Sequence, residues 1–569
     1  MKGRRFAALL TAIAMLALAL RLVYPAADPP WKTPVGVVWH DEGAWVHNAR
    51  NKALFGSWRL DEWNPVFIAP VFTGLEYASF ELFGVGVRQA RLVSEIAGVL
   101  SVVLLALGVR RVAGDAAGLI AGALLSTNYV YVMYDRAAIM EALMVAFIVA
   151  SWSCTTRAET RPWWGAAAGI LAVLAFFTKA AAAFYLGALG IAALIELVSW
   201  EPARIEKSQA VWTIAGIGAA MAVVFVGFVL PHWTDYRFYN WQMSVTRKPS
   251  YDLRSLLTRV SWFPILHDTF SRMWFELCVG VVAAWSFLIR WRRISVGERL
   301  LLLWVGVGVL ELLIHDVGNE RRYVSLIPAL VALTAIVLGR GAGLLPAEAN
   351  TVSRRQLVWF TPAILYSAYV ICGPIGRLPF LYVVRPGVRL SAALALALCA
   401  LVIVAWPWSR RFLSAGTWTM KAAFALTIAL MSRDLVEFGQ WSIGRTYKNY
   451  DASRALGGVL AQGTLVQGKL ANGLSLENQI RPVFIGHEFG NYADRKRRDD
   501  VRYILTYTEP YIGYEGSQIL DVLDAYPAWR VLMTFDVAET PSGRDRAALI
   551  DKFGVARPPA VHETGRARD

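Results

Sequence analysis

Apolar residues along this chain gather in long unbroken runs, not in the short alternations of a soluble helix or strand. A helix needs about 20 apolar residues to cross a bilayer. The first run, Phe6 to Tyr24, follows Lys2, Arg4 and Arg5. A basic start and an apolar run also fit a cleaved signal peptide. The many runs that follow favour a retained anchor, which puts the N-terminus in the cytoplasm and residues 25–65 outside. Further runs fall at 90–109, 116–134, 139–155, 163–178, 180–198, 210–230, 273–290, 299–315, 324–340, 357–372, 388–406 and 414–433, and with the first they make about thirteen spans. The fold class expected is an α-helical polytopic membrane protein.

The stretch Val66 to Gly84 is ambiguous, because it carries Pro70, Glu76 and Glu81. A carboxylate in lipid costs roughly 2.5–3.5 kcal/mol on insertion scales. The positive-inside rule arbitrates. If this stretch lies along the surface, Arg110/Arg111, Arg157/Arg161, Arg204/Lys207, Arg290/Arg292/Arg293/Arg299, Arg340/Arg354/Arg355 and Arg410/Arg411 all fall inside. Arg377, Arg385 and Arg389 sit against that register. The outer face then holds loop 25–65, segment 135–138, loop 231–272, loop 315–323 and a polar tail. A membrane domain over 1–433 and a soluble extracytoplasmic domain over 434–569 are expected. In the tail, β-rich runs at Val483–Ile485, Val501–Thr506 and Trp529–Phe535 and helical stretches at Ala452–Leu460 and Ser517–Ala525 predict a small α/β fold.

Composition agrees. Of 569 residues, 56% are hydrophobic and 17% charged, against about a quarter charged in soluble domains; mean hydropathy is +0.44. The 23 Trp suit membrane interfaces. A net charge of +15 does not argue for nucleic acid, because the basic residues sit in short loops between apolar runs. Cys154, Cys278, Cys372 and Cys399 lie in or beside apolar runs without metal spacing, so no disulfide framework is expected. The location implied is multi-pass in the cell's inner or plasma membrane.

Candidate chemistry clusters on the outer face. Asp41 and Glu42 stand in Trp39-His40-Asp41-Glu42-Gly43-Ala44-Trp45, just past the anchor. Adjacent side chains diverge, so one acid works and the other supports it. A carboxylate there can take a proton from an acceptor hydroxyl or amine; a solvated loop pair is the plainer alternative. Glu141, after Asp135-Arg136, opens an apolar span, where an ionisable residue is a functional candidate or half of an interfacial Arg136–Glu141 pair. Lys179 interrupts an apolar stretch on the side the charge rule disfavours. It can hold a lipid phosphate as a point charge or simply reach out to the interface. Arg321 and Arg322, before Tyr323, offer planar forks of donors that match phosphate, or local pairs with Glu320 or Asp316. Two acids and two cationic sites on one face fit transfer from a lipid-phosphate donor.

At these residues the sequence resembles the polyprenyl-phosphate-dependent glycosyltransferases of the GT-C type, in pattern the protein O-mannosyltransferases and lipid A aminoarabinose transferases. The resemblance rests on Asp41-Glu42, on Asn64-Pro65 through Leu82-Phe83-Gly84 to Arg88/Arg91, and on Arg136 with Glu141. It continues in Gly165 to Thr178-Lys179 and in Arg322-Tyr323 through Pro328. It runs over about 6–340 and implies a GT-C fold and an inverting transfer of a sugar from a polyprenyl-phosphate donor to an acceptor on the outer face. It makes Asp41 the catalytic base or the carboxylate that orients the acceptor, lets Glu42 and Glu141 shape the site, and turns Lys179 and Arg322 toward the donor phosphate, with Arg136, Arg321 and Tyr323 beside them. Many relatives have His-Pro-Pro or Lys-Pro-Pro where this chain has Asn64-Pro65-Val66, which leaves Arg59 or Arg50 as substitute cations. Some relatives bind a divalent metal; His40, His47, His232 and His267 are the candidates here, no spacing supports a site, and none is predicted. Beyond the donor, the acceptor and the bilayer, no partner is implied. Loop 231–272, with Trp233, Tyr236, Arg237 and Trp241, and the tail are the places for acceptor choice. The rival classes are a secondary transporter or flippase, which tends to show repeats and midplane acids, and a membrane scaffold, which leaves Asp41, Glu141 and Lys179 unexplained. No Walker or GxGxxG loop suggests a nucleotide donor.

Overall fold

The structure is a computed structural model that describes residues 3–30, 39–198, 204–242, 252–258, 272–315, 320–340, 347–372, 386–414, 420–486, 489–509, 511–513, 517–538 and 546–554. Asp316, Asn319, His267, Arg377 and Arg385 lie outside these residues, as do parts of loops 25–65 and 231–272.

The apolar runs form helices where expected, with shifted ends. The elements are α1 (Gly3–Leu22), α2 (Asp41–Trp45), α3 (His47–Phe55), α4 (Pro70–Phe83), α5 (Val87–Thr127), α6 (Tyr129–Asp135), α7 (Met140–Ala158), α8 (Trp164–Thr178), α9 (Ala183–Val198), α10 (Arg204–Val224) and α11 (Trp233–Trp241). They continue as α12 (Trp274–Ile289), α13 (Val296–His315), α14 (Ile327–Arg340), α15 (Thr361–Cys372), α16 (Pro386–Val404) and α17 (Met420–Ile443). Among the described residues five helices are long and apolar enough to cross a membrane, or six if the bent α6–α7 pair counts as one span; four more apolar helices are shorter. These helices do not fix the count of about thirteen spans expected from the apolar runs.

Two departures shape the site. α5 doubles back at Gly114, whose φ of 89° suits glycine. Beyond that turn Gly118 packs against the Ala106 carbonyl and Arg110, so α5 is a helical hairpin with Arg110 and Arg111 near its turn. The run expected over 116–134 stops at Thr127. Asn128 then caps α6 by accepting the Tyr131 N–H at 3.0 Å, and α6 meets α7 at 114°. The bend presents residues 136–141 at one end of the bundle. Close packing elsewhere follows small residues: on α8 and α10, a Cβ on Gly169 would stand 2.4 Å from the Thr213 carbonyl oxygen, and one on Gly216 2.2 Å from that of Ala166.

The helix expected over 414–433 does not end at 433. α17 continues to Ile443, because Arg433, Asp434 and Glu437 are good enough helix formers to extend it beyond its apolar part. The tail contains α18 (Lys448–Val459), β1 (Leu465–Gln467), α19 (Lys469–Gly473), β2 (Arg481–Val483), β3 (Tyr503–Tyr507), α20 (Ser517–Ala525), β4 (Arg530–Asp536) and β5 (Arg546–Asp551). Its sheet has the order β2-β1-β3-β5-β4. β1 pairs in parallel with β2 and β3, and β5 runs antiparallel between β3 and β4.

The tail is bolted to the loop that carries α2 and α3. The Arg50 guanidinium donates to the carbonyls of Ser475, Asn478 and Ile480 at 2.9–3.0 Å. The Phe484 N–H donates to Asp61 at 2.9 Å and the Val87 N–H to Glu477 at 2.8 Å. Asp28 caps α18, accepting from the Lys448 N–H at 2.7 Å and the Asn449 N–H at 3.2 Å. A Cβ on Gly43 would lie 1.8 Å from the Asn472 carbonyl oxygen, so α2 sits directly on the tail.

Candidate active site

One end of the bundle gathers the N-termini of α2 and α7, the break between α8 and α9, and the 3-10 turn 320–326 that leads into α14. Asp41 opens α2. Glu141 stands in the first turn of α7, where the free N–H groups favour negative charge. Lys179 follows the last residue of α8 in an extended conformation, φ −157°, so the helix break aims its side chain across the cleft.

The four side chains form one ionic cluster. Arg321 donates through Nη1 to Asp41 Oδ2 at 2.5 Å and through Nε to Glu141 Oε1. Lys179 donates through Nζ to the same Glu141 oxygen. Glu141 is therefore held by two cations, and its side chain is 1% exposed. Asp41 meets Arg321 at one oxygen, has His40 Nε2 3.8 Å from the other, and is 23% exposed. Arg322 contributes a further positive charge felt at Lys179. Two acids against three bases leave an excess positive charge, a setting for an anion.

Glu42 points elsewhere. Its carboxylate receives Arg91 on both oxygens at 2.7 Å and the Ala138 N–H at 2.9 Å. Arg91 also donates to the carbonyls of Pro25 and Ala27 at 3.0 and 2.7 Å. Glu42 thus ties α2, α5 and the 136–139 bend together, the supporting member of the acidic pair. Arg136 is not with Glu141 and does not face the cluster. Its guanidinium binds the carbonyls of Leu20, Arg21 and Tyr24 at 2.7–2.9 Å, and it lies 4.6 Å over Trp441. That is how a cation satisfies the free carbonyls at a helix C-terminus, here of α1. The neighbouring Arg21 makes a buried pair with Asp135 at 2.6 Å.

The substitute cations named for the Asn64-Pro65-Val66 segment are both engaged. Arg50 is committed to the tail, and Arg59 pairs with Asp235 of α11 at 2.8 Å. Asn64 itself donates to Tyr239 Oη at 2.8 Å. His47 faces Asp61 at 2.8 Å, and His232 Nδ1 lies 2.9 Å from the Phe228 carbonyl. Among the described residues no three His, Cys, Asp or Glu side chains gather to hold a metal ion. Trp233 and Trp241 on α11 are exposed, at 50% and 57%.

Tyr323 is buried and leads away from the cluster. Two residues beyond Arg321, it lines an apolar cavity of about 300 Å³ between α12, α13, α14 and α15, with Leu277, Val281, Trp285, Val309 and Tyr366. Sequence reasoning assigned the phosphate to Arg322; the geometry gives the bridging position to its neighbour Arg321. Arg91 appeared only as part of a pattern, and its bidentate pairing was not legible because Glu42 lies 49 positions away.

This is a GT-C fold: a helical membrane bundle with an acidic loop after the first helix and a small α/β domain seated over one end. The comparisons agree. Residues 68–230 match the family model described as dolichyl-phosphate-mannose-protein mannosyltransferase. The crystal structure of ArnT from Cupriavidus metallidurans in the apo state is similar at a TM-score of 0.55 and 15% identity, covering 98% of this chain and 100% of that one. The same organism's ArnT bound to undecaprenyl phosphate is similar at 0.51 and 16% identity, over 96% and 97%. A comparison with curated proteins finds no match. The family model matches this segment of the chain, and the likeness to ArnT shows the fold of the whole.

Proposed function

We propose that the protein moves a sugar from a polyprenyl-phosphate carrier to a hydroxyl or amine acceptor at the extracytoplasmic face of the membrane, with inversion. The observation that carries this is one cluster in which two cations, Lys179 and Arg321, stand beside a partly exposed carboxylate, Asp41, while Tyr323, two residues beyond Arg321, lines an apolar cavity. The cavity suits a prenyl chain and the cations suit the phosphate at its head. The solved ArnT holding undecaprenyl phosphate supports a donor of this class.

In the transfer, Asp41 takes the proton of the acceptor as its oxygen or nitrogen forms the bond to the sugar's anomeric carbon. The bond from that carbon to the phosphate oxygen breaks, and the electron pair leaves with the phosphate, whose charge Lys179 and Arg321 balance. One displacement inverts the anomeric centre. Glu141, buried under two cations, holds them in place and does not act as a second nucleophile.

The side assignment rests on charge. Arg111 bonds to Ser153 and Thr156 near the end of α7, and Arg340 to the Val112 carbonyl. These basic residues crowd the bundle end opposite Asp41, which the positive-inside rule makes cytoplasmic. A cysteine placed at Arg59 should label from outside intact cells; labelling only after permeabilisation would invert this topology. The activity test uses membranes containing the protein and a labelled polyprenyl-phosphate sugar. Transfer is expected with the native chain and lost in Asp41→Asn. Transfer unchanged by the substitution would remove Asp41 from its role, and none across a broad panel of donors and acceptors would favour transport of lipid-linked precursors instead.

A further inference from the structure

We infer that Arg321 couples the phosphate to the base: the lipid phosphate and the Asp41 carboxylate compete for one guanidinium, so a bound phosphate makes Asp41 the stronger base. This rests on the donor class proposed above and adds a coupling to it.

The argument starts from what Arg321 holds. Its Nη1 lies 2.5 Å from Asp41 Oδ2 and its Nε bonds to Glu141 Oε1. A carboxylate that receives a charged N–H is a weaker base than one that does not. In this geometry one oxygen of the base is held by a cation that the leaving phosphate needs. Both demands fall on the same side chain, and they fall at different stages of the reaction.

Burial says which bond gives way. The Glu141 side chain is 1% exposed and that of Asp41 is 23% exposed. Leaving Glu141 without its cation would strand a charge in a dry place, which is costly. Asp41 can be solvated the moment it is released. Arg321 is thus anchored at Glu141 and pivots at its other edge. As the bond to the sugar breaks, the donor's phosphodiester becomes a monoester, which presents more acceptor oxygens and more charge to a planar fork than one carboxylate does, and Lys179, fixed on the same Glu141 oxygen, lies in position to share it. Arg321 is in this sense a positioning residue for the base as well as a contact for the donor. The consequence is that Asp41 is the weaker base while Arg321 rests on it and the stronger one once the phosphate has drawn Arg321 away.

Thermodynamic coupling makes this testable without knowing the acceptor. The probe is undecaprenyl phosphate without a sugar, added to the full-length protein in nanodiscs. Asp41→Asn should bind it about 5-fold tighter or more, although the same substitution abolishes transfer. Arg321→Gln should bind it more weakly. In the Arg321→Gln background, adding Asp41→Asn should change affinity little, because the competition has been removed. An unchanged affinity in Asp41→Asn, or an equal gain in both backgrounds, overturns the inference, the latter by showing plain charge repulsion. If native protein and variants all fail to bind the lipid phosphate, the donor class falls, a result distinct from either. A second measurement needs no variant: carbodiimide labelling of Asp41 in the native protein, followed by mass spectrometry, should rise when undecaprenyl phosphate is added while Glu141 stays unlabelled. Asp41 labelling that does not rise also overturns the inference.

Discussion

Two groups of charged residues lie within a few turns of each other at the same end of the bundle, built from the same residue types and put to opposite uses. In one, Arg21 with Asp135 and Arg91 with Glu42 are buried pairs, with side chains at most 6% exposed. Each arginine there also finds backbone carbonyls, so every charge is matched and nothing is left for a ligand. In the other, Arg321 divides itself between Asp41 and Glu141, Lys179 shares Glu141, and both cations and Asp41 keep 13–23% of their side-chain surface. A pair that is bidentate and dry fixes geometry. A cluster with shared partners and an open edge can exchange one of them. The difference lies in stoichiometry and access, not in residue type.

The sharpest way to break this division is at its two adjacent acids. Asp41→Asn should lower transfer by roughly 10²- to 10⁴-fold and leave the thermal melt of the purified protein where it was. Arg91→Ala should do the reverse. It strands Glu42 in a dry site at a cost of about 3–5 kcal/mol, read as a large drop in melting temperature and in the yield of folded protein, with activity lost only in proportion. If Arg91→Ala melted like the native chain, the two groups would not differ as described. Lys179→Met comes next. Removing a charged hydrogen-bond donor costs about 1.5–3 kcal/mol, expected as a rise of at least 10-fold in KM for the lipid donor with a melt near native. The smallest effect tests the platform beneath both groups. Gly43→Ala forces a methyl against the Asn472 carbonyl, and overpacking of this kind costs about 1–3 kcal/mol. Hydrogen exchange should then quicken in α2 and α19 while α5 and α7 stay protected.

How much of this could be read in the sequence follows from what each feature depends on. The long helices were legible because apolar length alone dictates them. The break between α5 and α6 was not, since Val130 through Met133 continue the apolar run past the Asn128 cap. In the tail, β4 and α20 showed their pattern, but β5 did not. Its Ala547-Ala548-Leu549-Ile550 is buried on both sides, so it lacks the alternation that marks a half-buried strand. Within the site, Asp41, Glu141 and Lys179 stood out as charges beside or inside apolar runs. Choosing between Arg321 and Arg322 was beyond sequence, because neighbouring side chains leave a 3-10 turn in different directions. Arg136 was misleading for a related reason: its partners are backbone carbonyls of α1, which no residue pattern advertises.

The clasp of Arg50 on the tail has a consequence in time. The carbonyls it holds belong to Ser475, Asn478 and Ile480, 425 to 430 positions later in the chain. At about 5–20 residues per second, translation would reach them on the order of 20–90 seconds after Arg50 has been made. During that interval the loop bearing Asp41 has no floor, and the buried guanidinium has no acceptors. A chain that stops before Ser475 carries every charged residue of the cluster but lacks the carbonyls that hold Arg50.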